Sequence, residues 1–176
     1  MNFPEHEGPV RRALGEAMLA FVQGITATRL GHDEEDPVLR QVATEHYRQA
    51  VETAAAQGVE AALAWHTLAV WTEQGKERIG YFSRALEGAR AEDAETPATT
   101  PKGRWSEAHM AADCLFEIGR VHAHEGDAAV ARGFLEQALP LARRTEALQA
   151  AAGVTDDRLE GRIAELLLQL PDEGGE

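Results

Sequence analysis

Apolar residues recur along this chain at the three- and four-residue intervals of a helix, and no stretch alternates with period two. Val10, Leu14, Met18, Phe21 and Ile25 form one apolar stripe, which predicts a first helix ending near Gly31. Asp36 and Pro37 then read as an N-cap and a first helical residue, because proline's missing N–H is not needed there. The second helix runs to Gly58, which suits a left-handed C-cap, and a third covers roughly Val59 to Gln74. A fourth begins near Lys76, carries Tyr81, Phe82, Ala85 and Leu86, and fades near Ala91.

Residues 92–103 hold two prolines and no apolar periodicity, so they read as a mobile Pro/Thr loop. Ser106 is the expected N-cap of a fifth helix ending at Glu125-Gly126, with Trp105 placed to staple onto Met110. Asp127 caps a sixth helix whose stripe includes Val130, Phe134, Leu135 and Ala138, and Pro140 predicts a kink or an early stop within it. Thr155-Asp156-Asp157 opens a last helix through Ile163, Leu166, Leu167 and Leu170, closed by Pro171 and followed by a frayed tail, 172–176. Alanine is abundant and β-branched runs are scarce, which also favours helix. The fold class is therefore all-α, with about seven helices, in a single domain over 1–176.

Three segments share one pattern. Tyr47, Ala50, Val51 and Ala54 match Phe82, Ala85, Leu86 and Ala89, and both match Leu135, Ala138, Leu139 and Ala142. The first two lie 35 residues apart and the last two 53, with the Pro/Thr loop supplying most of the excess. Periods of this size are those of stacked helical hairpins, each burying its face only against its neighbours.

Leu115, Phe116, Ile118, Gly119, His122, Gly126, Ala131, Leu135 and Ala138 carry the pattern most fully, and over residues 112–142 the chain resembles the tetratricopeptide repeat family. A weaker match, with Trp65, Leu68, Ala69, Gly75, Phe82 and Ala85, covers residues 62–89, although its turn departs from the family spacing by about two residues. The resemblance implies a right-handed stack of antiparallel helical hairpins. It also implies close helix approach at Gly119, a hairpin turn at Gly126, and room for bulky neighbours at Ala131 and Ala138. An ordinary alanine-rich helical bundle is the competing architecture.

Composition narrows the function. The 176 residues suit one domain, and 30 Asp plus Glu against 17 Lys plus Arg give a net charge of −13. Nucleic acid and anionic membrane surfaces attract cationic proteins, so both are disfavoured as partners. The single cysteine, Cys114, cannot form an internal disulfide, and its apolar neighbours predict a buried, inert thiol. The N-terminus lacks the basic and apolar regions of a secretory signal, which predicts a cytoplasmic protein.

The residues that bear chemistry do not assemble into a known catalytic motif. Seven histidines are present, but no Glu-x-x-His, no His-Glu-x-x-His and no zinc-spaced cysteine pair accompanies them. His109 with Asp113, and His122 with His124, are two-ligand pairs of the sort that helix faces carry by chance. Neither a nucleophile elbow nor a phosphate-cradling glycine loop occurs, so the sequence predicts no enzyme, no cofactor and no metal site. Trp65 fits a core position, whereas Trp71 fits either core or contact.

What remains is surface recognition. In the family that the chain resembles, the first helix of each repeat lines a concave groove. Carried over, the partner-binding positions are Asp113, Phe116, Arg120 and His124 in the clear repeat, and Leu63, His66, Val70 and Glu73 in the weaker one. Phe116 and Arg120 read as contact anchors; alternatively, Phe116 packs against a neighbouring helix. The Asn and Lys pattern that clamps chaperone C-termini is missing, since Asn2 is the lone asparagine and Lys76 and Lys102 are the two lysines. The expectation is an adaptor or regulator that binds a basic or amphipathic protein segment. Two rival accounts are a module that self-associates through Leu166, Leu167 and Leu170, and an acidic antitoxin or immunity-type neutraliser of a basic protein.

Overall fold

The computed structural model describes residues 19, 22–24, 26, 37–56, 62–72, 75–95, 107–153 and 158–171. These are helices and their short connections, with no strand among the described residues. Six helices have defined bounds, and residues 19, 22–24 and 26 are also helical. The stripe from Val10 to Ile25, apart from its helical neighbours, lies outside the described residues, as do Glu73, Trp105, the remainder of the Pro/Thr loop from Thr96 and the tail beyond Pro171. No helix among the described residues is long and apolar enough to cross a membrane. The chain divides into two compact units, Met1–Glu73 and Gln74–Glu176.

In the first unit, α1 (Pro37–Ala55) packs on α2 (Ala62–Trp71). Ala43, Tyr47, Ala50 and Val51 fall on one face of α1 and are all buried. α2 carries no charged residue and buries Ala62, Ala64, Trp65, His66, Leu68 and Ala69, while Leu63 and Val70 stay exposed. Trp65 is thus core, as its position in the pattern predicts, and Trp71 is half-buried.

The second unit holds α3 (Lys76–Glu95), α4 (Glu107–Glu125), α5 (Ala128–Ala151) and α6 (Leu159–Gln169). α4 is central and contacts the other three. From Ala108 to Val121 nearly every one of its side chains is buried, and Cys114, Leu115 and Ile118 are wholly enclosed, as are Phe82 of α3, Leu135 of α5 and Ile163 of α6. Each such aliphatic or aromatic side chain contributes about 1.5–3 kcal/mol by leaving water.

α4 and α5 are joined through Gly126 and Asp127 alone. Gly126 has φ +89°, a left-handed conformation that glycine adopts without steric cost. About two helical turns earlier, Gly119 lets the two helices meet: a Cβ there would stand 3.0 Å from Leu135 Cγ and 3.1 Å from the Ala131 carbonyl oxygen. Of the three patterned segments, Tyr47, Ala50 and Val51, Phe82, Ala85, Leu86 and Ala89, and Leu135, Ala138 and Ala142 lie in the core, whereas Leu139 is half-buried and the side chain of Ala54 lies outside the described residues.

Three boundaries differ from the sequence reading. α3 continues to Glu95, so residues 92–95 are helical backbone rather than loop. Glu92, Ala94 and Glu95 are competent helix formers and the first breaker is Pro97, which explains the extension. Pro140 does not stop α5, which runs through it to Ala151. The proline is exposed, so the Glu136 carbonyl that loses its intrahelical donor lies on a face that water reaches. The last helix begins at Leu159 rather than at Thr155, and Arg158 at its N-cap offers no side-chain cap. A glutamate from α5 does that instead: the Glu160 N–H donates to Glu146 Oε1 at 2.7 Å.

Candidate functional site

The second unit contains a cleft of about 530 Å³ lined by Arg120, Ala123 and His124 of α4, Gly126 and Ala128 at the α4–α5 turn, Leu166 and Gln169 of α6, and Leu170 and Pro171 behind it. Its position follows from the helix lengths. α6 ends at Gln169, Leu170 tucks in as a buried residue, and Arg132 Nη2 donates to the Pro171 carbonyl at 3.1 Å, fixing the residues just after α6 against α5. One wall is therefore largely aliphatic, with the Gln169 amide beside it, and the other carries a guanidinium and an imidazole.

Beneath the Arg120 end lies a charge cluster that the sequence reading missed. Glu117 is buried, and its Oε2 accepts from Arg120 Nη2 at 2.7 Å, Arg120 Nε at 3.0 Å and Arg78 Nη2 at 3.1 Å. Arg162 Nη2 approaches Glu117 Oε1 at 3.8 Å. Three helices thus send an arginine to one carboxylate. A buried carboxylate needs such partners, because desolvation would otherwise cost several kcal/mol. Its signal in the sequence is a lone acid inside the apolar run Cys114-Leu115-Phe116-Glu117-Ile118, with an arginine three residues on.

The eight positions expected to bind a partner fall as follows. Arg120 and His124 line the cleft, with His124 exposed. Phe116 is buried, and the Arg162 guanidinium lies 4.5 Å above its ring centroid, a cation–π contact that covers the face. Asp113 is half-buried one turn before Glu117. Leu63 and Val70 are exposed on α2, His66 is buried between them, and Glu73 lies outside the described residues. Leu63, His66 and Val70 belong to the first unit, whereas the other four belong to the second.

Cys114 is enclosed, and burial pushes its thiol well above the usual range, with the carboxylates of Asp113 and Glu117 adding to the effect. A neutral, inaccessible thiol is a poor nucleophile. The leucines of the last helix divide: Leu170 is buried, Leu166 and Leu167 are partly covered, and Leu168 is 88% exposed. At the far end of α4, the donor atoms of His122, Glu125 and Asp127 lie within 4.8 Å of one another. Compared with family models and with curated proteins, the sequence matches none.

Proposed function

We propose that this protein is a non-catalytic adaptor or regulator of the helical-repeat type, which holds an amphipathic segment of a partner protein in the cleft between α4 and α6. The observation that carries this reading is the cleft itself, where an aliphatic wall of Leu166, Leu170 and Pro171 faces Arg120 and His124. The segment's apolar side chains would bury against that wall. The net charge of −13 would speed encounter with a basic partner, and added salt would slow it. The repeated pattern and the close approach at Gly119 support an architecture of tetratricopeptide type, a stack of hairpins.

The test begins with affinity capture from native lysate at low salt, followed by purification of the partner found. Leu166→Glu places a charge on the aliphatic wall and is expected to weaken binding about tenfold or more. Val38→Glu, at an exposed position of α1 that does not line the cleft, keeps wild-type affinity. Equal binding by wild type and Leu166→Glu, with both folded by circular dichroism, would dismiss the cleft as the site. A second reading rests on Leu168: its exposure on the last helix favours self-association through that face. Mass measured by sedimentation across a hundredfold concentration range decides it, since a constant monomer rules this out.

A further inference from the structure

His122 sits in the last turn of α4, Glu125 is that helix's final residue, and Asp127 follows the Gly126 turn. Spacing of three puts His122 and Glu125 on one helix face, and the turn brings Asp127 back beside them. The His122 Nδ1 to Asp127 Oδ2 distance is 3.5 Å. We propose that His122, Glu125 and Asp127 form a binding site for a divalent transition-metal ion of the zinc class at the turn between α4 and α5.

Several observations converge on this. Asp127 holds the N-cap position of α5, where an aspartate normally accepts a backbone N–H for about 1 kcal/mol. Its carboxylate makes no such bond and turns to the imidazole instead. His122 Nδ1 is buried and has no hydrogen-bond partner, a state whose cost a coordinated cation would remove. The imidazole plane is already fixed, because the ring stacks on Phe134 at 5.8 Å with an interplanar angle of 3°. The turn is fixed too, with the Asp127 N–H donating to the His122 carbonyl at 2.9 Å.

The geometry suits zinc. Bonds of about 2.0–2.1 Å in a tetrahedron set ligand atoms roughly 3.3 Å apart, close to the separation that His122 and Asp127 already have. Glu125 is exposed, and rotation of its side chain closes the remaining gap. One imidazole with two carboxylates favours zinc, cobalt or nickel over calcium and magnesium, which take all-oxygen shells. The two carboxylates balance the dication. Three protein ligands leave a fourth position for water or a donor from another molecule. Linear ligand motifs miss the site because the turn, rather than one helix, supplies the third residue.

The test uses the full chain stripped with chelator and titrated with Zn²⁺ by calorimetry, and with Co²⁺ by visible absorption. One equivalent is expected to bind saturably, and Zn²⁺ is expected to shift the His122 ring nitrogens in a long-range ¹⁵N spectrum. Asp127→Asn and Glu125→Gln, both at exposed positions, each weaken binding by about tenfold or more, since a ligand matters no less than its outer-shell support. His124→Ala, which removes a neighbouring imidazole, leaves affinity unchanged. A site held as tightly by Asp127→Asn and Glu125→Gln as by wild type, or equal binding of Mg²⁺, overturns the proposal, as does the absence of saturable binding. That last outcome would leave His122 and Asp127 as a plain ion pair.

Discussion

A methyl group on residue 119 would stand 3.0 Å from Leu135 Cγ and 3.1 Å from a backbone oxygen that cannot step aside, whereas one on residue 133 would meet nothing within 4 Å. The same substitution therefore has opposite signs at two helical glycines. Gly133→Ala is expected to stabilise the protein by about 0.5–1 kcal/mol through helix propensity. Gly119→Ala gains that amount but is overpacked, with a net loss of about 1–2 kcal/mol. Urea midpoints of the two variants check this, and equal signs would refute the close approach. Cys114 offers a second test at this scale. Its thiol ordinarily titrates near 9.0, and burial foremost raises it well above that value in the folded protein. The folded state then holds a proton that the unfolded chain releases, so stability falls as pH rises past 9.0. Cys114→Ala is expected to flatten that alkaline decline, and the native thiol to resist iodoacetamide until the protein is unfolded.

Local rules govern the interiors of the helices, while their ends depend on residues far away in sequence. The buried sets at Tyr47, Phe82 and Leu135 were legible because a repeated pattern of large and small residues leaves few ways to form a core. The start of α6 was not legible: Asp156 and Asp157 look like a first turn, yet the helix opens at Leu159 under a cap from Glu146. Arg143 strengthens that junction, its Nε donating to Glu160 Oε1 at 2.7 Å. Glu146→Ala is expected to cost about 1 kcal/mol, the value of a lost cap, confined to the last helix. Hydrogen exchange would show it as faster loss of protection at the Glu160 amide with the α4–α5 pair unchanged. Pro140 gives the same lesson in reverse, since a residue that breaks isolated helices is carried where its missing N–H faces solvent.

Across the molecule, net charge says less about a site than the arrangement of a few side chains does. A chain with a charge of −13 nonetheless gathers Arg78, Arg120 and Arg162 around one glutamate beside its cleft. The sequence left Phe116 open between a contact anchor and packing on a neighbouring helix; it is buried under Arg162 of the last helix, a cover that local pattern does not specify. The two-residue link at Gly126 also bears on the order of folding in the second unit. A hairpin closed so tightly spends little loop entropy before its contacts form, and such local topologies fold in microseconds to milliseconds. The transition state should therefore hold α4 against α5 while α6 is still free. Leu135→Ala would slow refolding in stopped-flow measurements, and Ile163→Val would leave refolding nearly untouched while hastening unfolding. The last helix, and the cleft wall it brings, would then form after the α4–α5 hairpin and leave before it.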